Sequence, residues 1–217
     1  MGRKLLAEFL GALLLAACVI GSGIMAERLA AGNAAIALLA NTFATVAVLA
    51  TLIVQFGPVS GAHFNPVVTA AAVHFRRLDA SLGALYVVAQ VAGCCAGAVL
   101  ANAMFELPLV SASMHARSGM AQWLSEAVAT SGLIFIAFRA PSLGEAAWRV
   151  ALWIGAAYWF TASTSFANPA ITIGRALSDT FAGIRPADVP GFIGAQLVGA
   201  FAGVLMLRIF ADPREAA

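Results

Sequence analysis

Apolar runs long enough to cross a bilayer, separated by short polar connections, account for nearly the whole chain. They fall at about 5–26, 34–57, 80–103, 120–140, 147–165 and 190–210, and a span needs roughly 20 mainly apolar residues. The pattern predicts six transmembrane helices. Two more apolar segments stop at half that length: VVTAAAVHF, which follows Asn65-Pro66, and AITIGRAL, which follows Asn168-Pro169. Proline suits the first turn of a helix, where its missing N–H would have no partner, and asparagine just before it is a favoured N-cap. Each segment has about ten residues before charge or polarity returns, roughly 15 Å of helix, so both are predicted half-helices. The first would enter from the cytoplasmic side through the turn residues Gly57-Pro58 and Ser60-Gly61, and the second from outside through Thr161 to Ser165. Irregular backbone at membrane depth is tolerated only where protein buries it or where it lines a watery cavity. The pattern therefore predicts a pore or a binding site.

The chain also repeats itself. AQVAGCCAGAVLA at 89–101 matches AQLVGAFAGVLML at 195–207, FNPVVT matches ANPAIT, and LLAEFLGA around Glu8 matches WLSEAVAT around Glu126. With three spans in each copy, about 1–105 and 118–217, the second copy must sit upside down relative to the first. The expectation is one integral membrane domain built as an inverted 3+3 repeat, with equivalent elements facing each other near the midplane. Half-helices meeting N-terminus to N-terminus would aim two positive dipole ends and two asparagine amides at one point, repelling cations and offering donors to a neutral polar solute.

Composition agrees: 62% of residues are hydrophobic and 10% charged, too little polar surface to cover a soluble globule. The net charge of +2 is small, but its placement is informative. With a cytoplasmic N-terminus, Arg3, Lys4, Arg76, Arg77, Arg139, Arg149, Arg208 and Arg214 fall inside, against Arg28, Arg117, Arg175 and Arg185 outside. That bias follows the positive-inside rule and puts both termini in the cytoplasm. A cleaved signal ending near LLAAC18 is an alternative reading of the N-terminus. Glu8 within the run, and its continuation to Met25, favour a retained helix.

Cys18, Cys94 and Cys95 lie in apolar spans at a spacing that gives neither a disulfide framework nor a zinc pattern, and they read as packing residues. Nothing resembles a nucleotide loop, a metal cluster or a nucleophile constellation, so neither an enzyme, a cofactor, a metal nor a nucleic-acid partner is expected. Glu8 and Glu126 have no His, Asp or Lys partners suited to a proton relay, and read as acceptors bracing the re-entrant loops. Gln90 and Gln196 are expected to assist them. His63 touches the pore or fixes its loop, and His74 is an end residue. Trp148, Trp153 and Trp159 anchor or pack the fifth span. Gly93/Gly97 and Gly199/Gly203 permit close packing of spans 3 and 6.

SGAHFNPVVT and FANPAIT, with Glu8 and Glu126 on spans 1 and 4, resemble the aquaporin and aquaglyceroporin family, the major intrinsic proteins, over essentially the whole chain. The resemblance implies an all-α fold of six spans plus two re-entrant half-helices, a homotetramer with one pore per subunit, and a passive path for water and small neutral solutes through membrane lipid. It places Asn65, Pro66 and Val67 with Asn168, Pro169 and Ala170 at the pore midplane. Val67 stands where the family has alanine. Most members carry an Arg after the second motif, in an outer selectivity filter. Here that position is Ile171, and counting from the motifs puts the other filter positions at Thr45, Ala156 and Ser165. The expectation is a wide filter with no ring and no fixed positive charge, suited to polyols and hydroxylated metalloids. NPAITIGRALSDTFAGI is similar to a bacterial branch associated with arsenic resistance, which implies arsenite or methylated arsenicals as solutes. Arg175, one turn beyond Ile171, either supplies charge at the outer vestibule or pairs with Asp179. A secondary transporter with broken helices, a water-selective aquaporin and a non-conducting scaffold are the competing readings.

Overall fold

The computed structural model describes residues 1–210; Arg214, counted above among the cytoplasmic charges, lies outside the described residues. Six long helices form: α1 (Gly2–Leu29), α2 (Ala34–Ser60), α4 (Ala80–Met104), α5 (Met120–Arg139), α6 (Leu143–Phe160) and α8 (Val189–Ile209). Two short ones, α3 (Pro66–His74) and α7 (Pro169–Arg175), begin at the expected prolines. Five of the long helices are long and apolar enough to cross a membrane. The remaining one, α6, has 18 residues and spans roughly 27 Å at 1.5 Å per residue.

Two boundaries depart from the sequence expectation. Gly57-Pro58 is not a turn: α2 continues through Pro58 and stops three residues later at Gly61, whose φ of 91° suits a left-handed C-cap. A proline this close to a C-terminus interrupts little remaining helix, and the Gly61 N–H closes the end on the Gly57 carbonyl at 2.9 Å. The fifth span starts and ends earlier than expected because Ser142 caps α6, accepting from the Glu145 N–H at 3.2 Å, and the chain unwinds at Thr161.

The helices pack in matched pairs. α1 lies along α4 and α2, α5 lies along α8 and α6, and α2 meets α6 to join the halves. Small residues set the closest approaches. A Cβ at Gly93 or Gly97 would press into the carbonyls of Phe9 or Leu13 on α1, and one at Gly199 or Gly203 into those of Ala127 or Ser131 on α5. The half-helices are wedged between the pairs, α3 against α4, α8 and α5, and α7 against α4, α8 and α1, and they touch each other. Outward faces carry large apolar side chains such as Phe43, Val88, Leu124 and Phe201, as lipid contact requires. Trp148 and Trp159 are on that exterior, whereas the Trp153 indole donates to the Ala129 carbonyl at 2.9 Å and packs over Gly132.

Candidate functional site

The re-entrant loops have unusual backbone. Ala62 and Phe64 before α3, and Thr164, Ser165 and Ala167 before α7, all have positive φ between 47° and 59°. Left-handed conformation costs a non-glycine residue about 1–2 kcal/mol, so such loops persist only when their surroundings over-determine them. Two buried carboxylates do so. Glu8 accepts from the Ser60 hydroxyl at 2.6 Å, the His63 and Phe64 N–H groups at 3.0 and 2.8 Å, and Gln90 Nε2 at 2.7 Å. Glu126 accepts from the Ser163 hydroxyl at 2.6 Å, the Phe166 and Ala167 N–H groups at 2.9 Å each, and Gln196 Nε2 at 2.6 Å. Gln90 reaches on to Thr69 and Gln196 to Thr172, both at 2.9 Å. Each carboxylate thus takes up four donors that lipid would leave unpaired.

These loops deliver the two asparagines to one place. Asn65 Oδ1 caps α3 by accepting from the Val67 N–H at 3.1 Å, and Asn168 Oδ1 caps α7 by accepting from Ala170 and Ile171 at 2.9 and 3.3 Å. Asn65 Nδ2 donates to the Ala167 carbonyl and Asn168 Nδ2 to the Phe64 carbonyl, both at 2.8 Å. An amide nitrogen carries two hydrogens, so each keeps one for whatever occupies the adjacent space.

That space is a cavity of about 280 Å³ lined by both asparagines. Much of its wall is aliphatic, including Leu15, Leu49, Ile53, Val150 and Ile154. Among the described residues no Asp or Glu borders it, and the arginines that do are Arg77 and Arg175. His63 also faces it, with Nδ1 held 3.1 Å from the Thr69 hydroxyl. Such a lumen suits an uncharged solute that presents carbon to the wall and oxygen to a few polar stations.

Of the residues singled out from the sequence, Asn65, Asn168, Thr45, Ser165, Ile171 and Arg175 line the cavity. Pro66 and Pro169 stay at the first helical turn. Val67 is buried against Ala71 and Ile134, and Ala170 in the central core, so both support the midplane from behind. Ala156 is not at the lumen. It is exposed on the far side of α6, beside Phe135 and Trp153. Ile154 and Tyr158 hold the lumen face, being one helical turn apart while Ala156 sits about 200° away from each.

The expectation of a filter without ring or charge is corrected accordingly. Tyr158 brings a ring whose hydroxyl lies 3.2 Å from that of Thr45, Phe166 lines the same end, and Arg175 brings a guanidinium. Arg175 does not pair with Asp179. Its Nε donates to the Ala182 carbonyl, while Asp179 accepts from the Met114 N–H at 2.8 Å. The Arg175 Cζ sits 3.4 Å from the Phe166 ring centroid.

Arg117, which the sequence marked only as a loop charge, is buried behind this end. Its side chain donates to the carbonyls of Gly183, Ser163 and Phe181 at 2.8, 3.3 and 3.4 Å, and its Cζ lies 5.1 Å from the same Phe166 ring. Burial pushes its guanidinium down to about 10, against the opposing field of Glu126. It ties the loop before α5 to both segments that flank α7. No local sequence signal distinguished it from a surface arginine.

Comparison with known proteins places this architecture. The family model described as Major intrinsic protein matches residues 1–144 and 113–217. "Aquaglyceroporin AqpS" of Rhizobium meliloti (strain 1021) is 50% identical over 213 residues, 97% of this chain and 91% of that one. "Glycerol uptake facilitator protein-like 6" of Lactiplantibacillus plantarum is 41% identical over 97 residues, 42% of this chain and 38% of that protein. In fold, the chain is similar to the aquaglyceroporin from Plasmodium falciparum, with a TM-score of 0.74 at 16% identity, over 100% of this chain and 99% of that one. Twin capped half-helices facing one lumen, and family matches that together cover the chain, lead to the same place: this protein belongs to the major intrinsic protein family of membrane channels.

Proposed function

We propose that the protein is a passive channel for small neutral hydroxylated solutes, with glycerol-like polyols, metalloid hydroxides such as arsenite, methylated arsenicals and water in its range. The observation that carries this reading is the lumen itself, an aliphatic wall without carboxylates among the described residues, interrupted by the amides of Asn65 and Asn168 and the hydroxyls of Thr45, Tyr158 and Ser165. A polyol or a trihydroxylated metalloid can exchange hydration for those groups one at a time, whereas an alkali cation meets two arginines, two amide donors and two positive half-helix ends. Ile171 supports the same reading, because apolar surface at that position favours the carbon side of a polyol. The name of the aquaglyceroporin that is 50% identical agrees with it.

The reading extends to the assembly. The halves, about 1–105 and 118–217, form an inverted repeat supported by the matched Glu8 and Glu126 networks, and the protein works as a homotetramer in the cell membrane with both termini cytoplasmic. The test is tracer uptake of glycerol and of arsenous acid into proteoliposomes, with and without sodium or proton gradients. A channel gives flux linear in solute concentration and indifferent to either gradient. Saturation together with gradient dependence would identify a coupled transporter.

A further inference from the structure

At the Arg175 end of the lumen, two buried polar side chains lack a full set of protein partners among the described residues. Ser165 is 2% exposed and lines the cavity, yet its Oγ has no hydrogen-bond partner among the described residues. Its counterpart in the first loop is Ala62, which has the same left-handed backbone and accepts no such burden. Arg175 is also 2% exposed. Its Nε is taken by the Ala182 carbonyl, but its two terminal nitrogens have no protein partner among the described residues and open onto the cavity. The guanidinium is stacked on the Phe166 ring, 3.4 Å from its centroid, and a second cation, Arg117, lies 5.1 Å from the centroid of the same ring.

A buried guanidinium without a carboxylate is costly, and the cost falls when an anion or an oxygen-rich group completes its hydrogen bonds. Stacking on Phe166 holds the guanidinium by its face and leaves the terminal N–H edge free, the geometry that clasps two oxygens of one group. The unpartnered Ser165 hydroxyl adds a third donor.

We propose that Arg175 and Ser165 form a binding subsite for a small monovalent oxyanion at this end of the lumen, and that an anion held there obstructs passage of neutral solutes. Arg117 strengthens the subsite through its charge and by tying the surrounding loops. The anion does not cross, because the next stretch inward offers Ile171 and Ile154 in place of hydration. The proposal rests on the channel reading only for its second half; binding does not depend on flux.

Methanesulfonate and its fluorinated analogue serve as probes, being ionised at all working pH and small. In detergent, the fluorine resonance of trifluoromethanesulfonate should broaden with wild-type protein, sharpen on addition of excess methanesulfonate, and stay sharp with Arg175→Met. Ser165→Ala, whose lost hydroxyl bonds nothing in the protein, should weaken binding several-fold with the fold undisturbed, and so reports on the subsite even where Arg175→Met fails to fold. In proteoliposomes, tracer glycerol exchange should fall saturably in sodium methanesulfonate and not in equimolar sodium gluconate, whose anion is too large to enter. No broadening in the wild type, or broadening in both Ser165→Ala and Arg175→Met equal to that of the wild type, overturns the subsite. Binding without obstruction overturns the block. An absence of glycerol exchange with no anion present overturns the channel reading and leaves the binding result to stand on its own.

Discussion

Asn65 and Asn168 hold each other's loops: each donates through Nδ2, at 2.8 Å, to the carbonyl of the residue preceding the other. The exchange sets both amides at the meeting point of α3 and α7, so neither loop can shift without breaking the other's contact. Asn168→Asp removes the donor to Phe64 and brings a negative charge to the midplane. We expect a cation conductance absent from the wild type, together with reduced thermal stability, measured by planar-bilayer currents and detergent melting curves.

The Glu126 network predicts a second effect. Glu126→Gln puts an amide N–H where one carboxylate oxygen now accepts two donors, leaving at least one donor orphaned at about 1–3 kcal/mol. The melting temperature should fall and solute flux with it, because Ser163, Phe166, Ala167 and Gln196 are left to share a single acceptor oxygen. Glu8→Gln should behave alike through Ser60, His63 and Phe64.

On α6 the lumen face is defined by Ile154 and Tyr158. Ile154→Trp should lower glycerol flux at least about tenfold by filling the passage, while Ala156→Leu should leave it within about twofold. Proteoliposome flux for the pair checks the rotation of this helix directly; the reverse order of effects would put the wrong face at the lumen.

Ile171→Arg adds a second guanidinium to the end that already holds Arg175. Glycerol flux should fall by about an order of magnitude while water flux persists, since water needs less width and fewer apolar contacts. Unchanged glycerol flux would show that Ile171 does not border the narrow part.

Close packing gives a paired stability prediction. At Gly97 a Cβ would lie 2.8 Å from the Ala16 Cβ and press on the Leu13 carbonyl, while at Gly194 it would meet nothing within 4 Å. Gly97→Ala should destabilise by about 1–3 kcal/mol through overpacking, and Gly194→Ala should be neutral or gain up to about 1 kcal/mol of helix propensity. Melting curves of the two variants in one detergent decide it.

Much of this was legible in the sequence because the bilayer imposes it. Apolar runs of span length have few alternatives, and an Asn-Pro pair inside such a chain must begin a helix at depth. The carboxylates were legible for a similar reason: a glutamate inside a span needs donors, and free loop N–H groups need acceptors. What failed was rotation and context. Counting along α6 could not tell which of Ile154, Ala156 or Tyr158 faces inward, since apolar residues surround that helix on every side. Pro58 read as a turn because Gly-Pro usually is one, yet the helix had only two residues left to lose. The destination of Arg175 depended on Phe166 and Ala182, its partners in the folded chain, and its i+4 spacing to Asp179 said nothing of them.

The most direct test is stopped-flow light scattering of proteoliposomes given an inward glycerol gradient. Rapid osmotic shrinkage followed by re-swelling much faster than in protein-free vesicles, at a rate proportional to the gradient, is the outcome predicted for this lumen. Shrinkage that is fast while re-swelling matches protein-free vesicles would mean a pore for water alone, and would contradict the claim that the cavity between Arg77 and Arg175 conducts hydroxylated solutes.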